Sequence, residues 1–266
     1  MEYIYYKTID STNNEAKRLI NTGQITQDTC LVSDEQTAGR GRQGKSFFSP
    51  DTGLYMTAVF PVDRSISSQV TVTTRTACAV ADALEECTGK EIGIKWVNDI
   101  YVDGKKCCGI LCEAVNDYDL GKLKYIIIGI GVNIYTKEWP EELKNIAGSL
   151  FGDDSVTCGE AVVKPSGTEY SDFKERLLKT IADKLYEWVY DASDSDFIEY
   201  YKRHSIVLGK KILFIENGAT MEGIARDIDE NGGLVVEISR DGECSDSSRL
   251  YRTLSSGEIS LKVRET

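Results

Sequence analysis

Residues 92–134 read IGIKWVNDIYVDGKKCCGILCEAVNDYDLGKLKYIIIGIGVNI, and this stretch decides the fold. Asp103-Gly104 and Asp119-Leu120-Gly121 divide it at sequences that favour hairpin turns. Between these turns lie apolar runs with the composition of β-strands, near Ile92–Trp96, Lys106–Ala114 and Tyr125–Ile134. The stretch therefore predicts antiparallel strands at the centre of a sheet, against which the flanking segments pack.

Both flanks carry helix and strand patterns. One helix is predicted to begin at Asp10-Ser11-Thr12, because Thr12-x-x-Glu15 has the spacing of a capping box, and to end at Gly23. The polar segment Asp153–Ser171 is predicted to be an irregular surface loop. Further strands are predicted over Tyr3–Ile9, Thr29–Gln36 and Gly53–Phe60, and further helices over Gln69–Cys87, Phe173–Val189 and Asp196–Arg203.

The pattern changes after His204. Short strand patterns follow one another closely, separated by Asn-Gly and Asp-Gly turns, and this arrangement predicts a small barrel. These strands are Lys211–Ile215, Met221–Asp227, Leu234–Ile238 and Glu258–Val263. We therefore expect an α+β protein with two domains, residues 1–204 and residues 205–266.

The composition excludes or disfavours several classes of function. The 266 residues include 31 Lys plus Arg and 43 Asp plus Glu, and the net charge of −12 disfavours general binding to nucleic acid. A single histidine, His204, excludes a histidine-rich metal site. No apolar run reaches the roughly 20 residues of a membrane-spanning helix, and no secretory signal begins the chain. The sequence thus predicts a cytoplasmic protein whose eight cysteines are reduced thiols, without a CxxC zinc motif.

A basic glycine-rich segment at Gly39–Ser46 matches the P-loop pattern G-x-x-x-x-G-K-[ST]. A P-loop needs a helix directly after its lysine, but Pro50 and Gly53 disfavour a helix after Lys45, so a P-loop NTPase is not favoured. The segment Gln36–Pro50 nevertheless contains no Asp or Glu. It is therefore a candidate loop that orders over an anionic ligand.

Two strands of the opening stretch carry unusual residues. Lys106 enters an apolar strand, where its charge is costly unless it meets an anion. Gly129 and Gly131 share one face of the next strand and leave space for a flat group, and Asn133 is expected on the same face.

Several segments, taken in the order in which they occur along the chain, resemble the biotin protein ligases. The resemblance covers nearly the whole chain and implies a class II synthetase-like catalytic domain, with a mixed, mostly antiparallel sheet flanked by helices, followed by a C-terminal SH3-like barrel. The matching segments are Asp10-Ser11-Thr12-Asn13, Glu35–Arg42, Lys95-Trp96-Val97-Asn98-Asp99, Lys106–Glu113, Ile128–Asn133 and Gly257–Leu261.

The resemblance implies a two-step reaction. Biotin and ATP give biotinyl-5′-adenylate and pyrophosphate, and biotin then passes to a lysine of a biotin carboxyl carrier domain in a carboxylase. Because two anions must meet, the chemistry needs positioned cations and Mg²⁺ and no enzyme nucleophile, so one histidine is no obstacle.

Site roles follow from the resemblance by position. Lys106, Arg40, Arg42 and Asp99 are implied as catalytic, with Asp99 able to take the proton of the incoming lysine. Mg²⁺ is expected near Asn98 and Asp99. Biotin contacts are implied for Ser11, Thr12, Asn13, Gln36, Gly39, Arg40, Gly41, Arg42, Lys106 and Gly109, and adenylate contacts for Arg40, Arg42, Asn98, Gly129, Gly131 and Asn133.

The chain also departs from the family pattern. Val97 replaces the usual proline, and Gln43, Lys45 and Phe47 stand where the family commonly continues with arginine and tryptophan. A lipoate ligase or octanoyl transferase remains an alternative, without the Arg-rich, Gly-Gly-rich signature of those enzymes. A DNA-binding biotin sensor is a second alternative, which is disfavoured because the motifs begin by Asp10 and leave no room for a preceding DNA-binding domain. A homodimer through the central sheet is possible within the family.

Overall fold

A seven-stranded sheet forms the larger part of the molecule. The computed structural model describes residues 1–62, 69–117, 122–152, 156–158, 161–163, 168–216, 218–238, 250–257 and 259–261. The strands of this sheet are β1 (Glu2–Ile9), β2 (Thr29–Gln36), β3 (Gly53–Pro61), β4 (Gly93–Lys95), β5 (Asp99–Val102), β6 (Lys105–Asn116) and β7 (Leu123–Asn133). They are ordered β1-β2-β3-β7-β6-β5-β4. Only β1 and β2 are parallel, which confirms the mixed, mostly antiparallel sheet.

The hairpins of the opening stretch follow from its turn chemistry. Asp103 and Gly104 have φ values of 50° and 77°, as the two central residues of a type I′ turn require. The predicted turn is therefore confirmed, but it joins β6 to β5, a strand that the sequence prediction missed. Residues 118–121 lie outside the described residues, so Asp119-Leu120-Gly121 is not tested, although β6 and β7 do pair in antiparallel fashion.

Four α-helices are described: α1 (Thr12–Asn21), α2 (Gln69–Thr88), α3 (Thr168–Tyr186) and α4 (Asp194–His204). The predicted capping box at Thr12 is wrong, because Ser11 is the N-cap and its side chain makes no capping hydrogen bond. Thr12 instead binds Gln36, and Glu15 accepts hydrogen bonds from Tyr6 and Arg18.

Within the described residues, no helix combines the length and apolar character needed to cross a membrane.

The helices leave part of one sheet face open. Helix α1 packs on β2, β3 and β7, where Ala16 contacts a small cluster that includes Leu31 and Ile127. Helices α2, α3 and α4 lie on the opposite side, over the larger core to which Ile128 and Ile130 belong. Because α1 has only ten residues, it covers only part of its face, and the rest is available for a site.

A second, smaller sheet follows α4. It contains β10 (Lys211–Glu216), β11 (Ala219–Ile228), β12 (Leu234–Ile238), β13 (Leu250–Leu254) and β14 (Ile259–Leu261), in the order β13-β12-β11-β10-β14 with all pairs antiparallel. Strand β13 was not predicted, and residues 217, 239–249, 258 and 262–266 lie outside the described residues. The larger mixed sheet with its helices is followed by a unit of short antiparallel strands, as expected. The domain boundary at residue 204 stays a prediction.

The two sheets are joined by a turn of the smaller one. Trp96 donates from Nε1 to the carbonyl oxygen of Gly232 at 3.0 Å, and Thr71 Oγ1 donates to the carbonyl oxygen of Asn231 at 2.9 Å. Gly232 has a φ of 87°, and a β-carbon there would collide with Thr74. The close contact between this turn and the large sheet therefore requires glycine at position 232. Through this turn, the C-terminal sheet packs against the edge of the large sheet.

The segment 153–171 is more regular than predicted. Val156–Cys158 and Ala161–Val163 form β8 and β9 of a two-stranded antiparallel sheet, and α3 already begins at Thr168. The prediction of an irregular loop is therefore wrong for these residues, while residues 153–155, 159–160 and 164–167 lie outside the described part.

In the described part of the chain, six cysteine side chains are buried: Cys30, Cys78, Cys87, Cys107, Cys108 and Cys112. Burial raises the pKa of Cys30 and of Cys107 to about 12, and that of Cys112 to about 11, because a thiolate is poorly solvated there.

We expect these six thiols to resist a thiol-specific disulfide reagent at pH 8 and to react after denaturation. Rapid labelling of more than two of the eight cysteines in the native protein would contradict this burial.

Candidate active site

A cavity opens where the large sheet extends beyond the N-terminus of α1. Its floor comes from β6 and β7, one side from the loop after β2, another from residues before β5, and the C-terminal sheet contributes the last part of the wall. The lining residues are Gln36, Arg40, Gly41, Arg42, Gln43, Lys45, Ser46, Phe47, Lys95, Trp96, Asn98, Asp99, Lys106, Gly109, Ile110, Leu111, Gly129, Ile130, Gly131, Gly257 and Ile259.

Glycines form the floor, and side chains of this chain lie directly on them. A β-carbon at Gly131 would come within 2.5 Å of Phe47 Cε1, and one at Gly109 within 2.9 Å of Phe47 Cε2. A β-carbon at Gly129 would collide with the Asn13 amide. The expected space for a flat group is therefore present, and in this structure the Phe47 ring occupies part of it.

A buried polar network lies beside this floor. Gln36 Oε1 accepts from Thr12 N at 2.9 Å and from Thr12 Oγ1 at 3.1 Å, and Gln36 Nε2 donates to Ser49 Oγ at 3.0 Å. Thr57 Oγ1 lies 2.7 Å from both Thr12 Oγ1 and Asn13 Oδ1. Because a hydroxyl carries one hydrogen, Thr57 can donate to only one of these acceptors at a time. Because the Thr12 hydroxyl can in turn donate to Thr57 or to Gln36, these groups hydrogen-bond one another within the protein.

Charged side chains line the opposite part of the cavity. Lys106 Nζ lies 2.6 Å from Asp99 Oδ1, so the anion that this lysine was expected to need is supplied by β5. Arg42 Nη1 donates to Asn98 Oδ1 at 3.2 Å, and Asn98 Nδ2 donates to the Ile110 carbonyl oxygen at 2.8 Å. Asn98 and Asp99 follow the Trp96–Val97 peptide bond, which is cis. Two cations and one carboxylate are thus fixed around one opening.

The basic loop is not a P-loop. Arg42–Gly44 form a single 3₁₀ turn, in which Gln43 has a φ of 53°, and Arg40 and Ser46 then form an antiparallel bridge. Residues 45–52, all of them described, contain no helix. The expectation that no helix follows Lys45 is confirmed, and no helix N-terminus is available there for a phosphate.

Most of the predicted site residues meet at this cavity. Those that line it are Gln36, Arg40, Gly41, Arg42, Asn98, Asp99, Lys106, Gly109, Gly129 and Gly131. Ser11, Thr12 and Asn13 lie behind the lining as buried residues, and Gly39 packs tightly against Phe47 and Ser49. These four support the wall without lining it.

Asn133 does not border the cavity, and this part of the prediction is wrong. It is the last residue of β7, and its Nδ2 donates to the carbonyl oxygen of Gly148 at 3.2 Å. Its buried Oδ1 has no hydrogen-bond partner within the described structure. The alternation of side chains along β7 placed Asn133 on the glycine face, but its amide is directed to the segment that runs beside the strand end.

Several lining residues were missed by sequence reasoning. Phe47 was noted only as a departure from the family pattern, yet its ring lies on the glycine floor. Trp96 was interpreted as core, and it is indeed buried, but it also contributes to the wall. Gly257 and Ile259 come from the C-terminal part of the chain, and no local signal placed them here.

His204 contacts Glu85 and the Tyr200 carbonyl oxygen, as expected for a structural residue.

Comparisons with known proteins agree with this geometry. The sequence model described as the biotin/lipoate A/B protein ligase family matches residues 5–133, and the one described as the biotin protein ligase C terminal domain matches residues 207–262. The bifunctional ligase/repressor BirA of Bacillus subtilis is 30% identical over 239 residues, which cover 89% of this chain and 69% of the relative. The chain belongs to the biotin protein ligase family. The biotin–[acetyl-CoA-carboxylase] ligase of Mycobacterium tuberculosis is 25% identical over 234 residues, covering 86% of this chain and 80% of the relative.

Solved structures of biotin protein ligases share the fold. The biotin protein ligase of Aquifex aeolicus in complex with biotin and ATP superposes with a TM-score of 0.74 at 25% identity and covers 98% of both chains. The predicted combination of a mixed central sheet and a C-terminal antiparallel domain is thereby confirmed as that of the biotin protein ligase family.

Proposed function

We propose that this protein activates biotin with ATP to biotinyl-5′-adenylate and then transfers biotin to one lysine of a biotin carboxyl carrier domain. The observation that carries this proposal is the convergence of Arg40, Arg42 and Lys106 on one cavity that also contains the Gln36 polar network. Cations suit the carboxylate and phosphates, and the polar network suits a ureido group, which has two N–H donors and one carbonyl acceptor. The names of the relatives favour biotin over lipoate.

The first step joins two anions. A biotin carboxylate oxygen attacks the α-phosphorus of ATP, the new C–O–P linkage forms, and the bond to the β-phosphate oxygen breaks as pyrophosphate leaves. Negative charge accumulates on the α-phosphate during the attack. Arg40, Arg42 and Lys106 are placed to offset it, and fixed cations in a partly enclosed cavity do so more effectively than water. Their main effect is therefore on the transition state.

The second step needs a neutral amine. The carrier lysine arrives as an ammonium ion and must lose a proton before its nitrogen attacks the biotinyl carbonyl carbon, after which AMP leaves. Asp99 is the carboxylate of the cavity wall and is 18% exposed at its side chain. We propose that Asp99 receives this proton, because it pairs with Lys106, the residue proposed to bind the carboxylate and adenylate oxygens.

A Mg²⁺ ion that enters with ATP would be held near Asp99 and Asn98, since Mg²⁺ commonly binds one or two carboxylates together with substrate phosphates. Asp99 would offer Oδ2, because its Oδ1 is paired with Lys106, and Asn98 Oδ1 would bind the ion in place of Arg42. Among the described residues, no group of three or more acidic, histidine or cysteine side chains forms a cage for a metal ion. The phosphates must therefore supply most of the ligands, and the ion neutralises part of their charge.

A direct assay tests the proposed function. The protein is mixed with biotin, ATP, Mg²⁺ and a biotin carboxyl carrier domain, and mass spectrometry follows the carrier lysine. We expect one biotinyl group per carrier domain, and none when ATP is left out or when that lysine is replaced by arginine. Preferential transfer of lipoate or octanoate under matched conditions would favour the alternative within the superfamily.

Arg42→Gly is expected to weaken retention of biotinyl-adenylate about tenfold. The substitution removes the guanidinium that binds Asn98 and lines the cavity, and it frees the turn Arg42–Gly44. The measurement is the rate at which preformed adenylate leaves the protein after dilution. Arg252→Gly, which removes a guanidinium from β13 outside the cavity, is the matched control and is expected to release adenylate at the wild-type rate. Equal release from Arg42→Gly and wild type would exclude this role.

A further inference from the structure

A second carboxylate lies next to the cavity and has no part in the proposed mechanism. Glu113, in β6, has a side chain that is 18% exposed. Three groups surround it: Lys17 Nζ lies 2.7 Å from Oε1, Asn13 Nδ2 donates to Oε2 at 3.0 Å, and Arg40 Nη1 lies 3.4 Å from the carboxylate. The carboxylate is thus shared between a residue of α1 and the basic loop.

Glu113 is ionised in this environment. Burial by itself raises the pKa of its carboxyl, but hydrogen bonds from Asn13 and Lys17 and the charges of Lys17 and Arg40 more than offset burial and hold the pKa below its ordinary value. An ionised carboxylate that is largely removed from water is stabilised by a cation nearby. Lys17 and Arg40 are the two cations in contact with it.

The two contacts are unequal. The 2.7 Å distance to Lys17 is that of a strong charge-assisted hydrogen bond, whereas 3.4 Å to Arg40 is long for one. The contacts of Arg40 with Asn14 and Glu113 both use Nη1, which donates to Asn14 Oδ1 at 3.0 Å. Arg40 is also one of the residues that line the cavity. Lys17 itself does not line the cavity, and its side chain contacts Glu113, which in turn contacts Arg40.

We propose that Lys17 is a positioning residue, which neutralises Glu113 and thereby leaves Arg40 available to the anionic groups of biotin and ATP. The inference rests on the proposed function. Without Lys17, Arg40 is the remaining cation in contact with Glu113 among the described residues, and a substrate carboxylate or phosphate must compete for the same guanidinium. Loss of Lys17 therefore weakens substrate binding more than it slows the chemical step.

The test uses biotin-dependent exchange of pyrophosphate into ATP by the full chain. Lys17→Met is expected to raise the KM for biotin about tenfold, corresponding to about 1.4 kcal/mol, with less than a threefold change in kcat. Lys17→Arg keeps the charge and is expected to stay within threefold of wild type. Lys179→Met removes a lysine from an equally short ion pair, with Glu175 on α3, and is the matched control.

Two further variants separate this role from a structural one. Lys17→Met/Glu113→Gln is expected to return the KM to within threefold of wild type, because glutamine still accepts from Asn13 but does not retain Arg40. In an Arg40→Gln background, Lys17→Met is expected to have no further effect on KM. Thermal unfolding of each variant shows whether it is folded. If Lys17→Met alone is unstable, Lys17→Met/Glu113→Gln, which leaves no unpaired carboxylate, is compared with wild type, and a KM raised more than threefold would contradict the proposal.

The outcomes distinguish the two proposals. Wild-type protein without biotin-dependent exchange would overturn the proposed function, and this inference with it. Normal wild-type exchange together with an unchanged KM in Lys17→Met would overturn only the role of Lys17. The same applies if Lys17→Met raises the KM equally with and without Arg40, since Lys17 would then act through another group.

Discussion

Lys106→Ala is expected to lower the rate of biotin-dependent pyrophosphate exchange by about a hundredfold to a thousandfold, the effect typical of losing one preorganised group at a developing charge. Lys106 lies in the cavity wall at the start of β6, and Asp99 holds its ammonium group in place at 2.6 Å. Alanine removes a cation where two anions must meet, and it leaves the Asp99 carboxylate facing them. The loss is expected mainly in kcat, because the charge is needed most during the attack.

The neighbouring lysine provides the control for this prediction. Lys105→Ala removes an exposed side chain that donates to the Lys144 carbonyl oxygen and does not line the cavity, and exchange is expected to stay within threefold of wild type. Lys106→Arg keeps the charge with a different geometry and is expected to be intermediate. Unchanged exchange in a folded Lys106→Ala variant would refute the assignment of Lys106 to adenylation.

Gly129→Ala is expected to lower the affinity for biotin by about tenfold to a hundredfold while the protein stays folded. The added methyl group would collide with the Asn13 side chain, whose amide also contacts Thr57, the Leu111 carbonyl oxygen and Glu113. A buried amide with these partners cannot move without breaking one of them, and the polar network beside the glycine floor is displaced with it. Isothermal calorimetry with biotin, in the absence of ATP, measures the loss directly.

Gly152→Ala is the matched substitution for this prediction. A β-carbon at Gly152 meets nothing within 4 Å and needs no unusual backbone conformation, so biotin affinity is expected to be unchanged. If Gly129→Ala binds biotin as tightly as Gly152→Ala, then Asn13 and its network do not contribute to the biotin site.

Local patterns predicted much of the fold. Alternation and turn residues located β2 and β12 with the observed bounds and most other strands within a few residues. Gly23 follows the end of α1 as predicted, with the positive φ that glycine adopts without strain. Strands β5 and β13 were missed, since each is short and lies beside a stretch that is itself rich in polar residues. Their strand character depends on pairing with neighbours.

The candidate site was predicted as a set of segments, but its contacts were not. Gln36, Arg40, Arg42 and Lys106, which the motifs selected, line one cavity, while their roles stay predictions. The motifs gave no indication that Phe47 lies on Gly109 and Gly131, or that Lys17 pairs with Glu113, 96 residues along the chain. Such pairs depend on which strands become neighbours, and sequence spacing does not encode that when the partners are far apart.

The sequence by itself therefore determined which chemical groups this protein carries: a basic loop without acidic residues, a lysine that enters a strand, and glycines on one strand face. These are local properties, set by residue type and by the alternation of side chains along a strand. The tertiary structure decided which group meets which, as when Asp99 on β5 neutralises Lys106 on β6 and Lys17 on α1 neutralises Glu113. Only packing brings these opposite charges within hydrogen-bond distance. The folded chain therefore decides which cations pair with carboxylates of the protein and which remain available to a substrate.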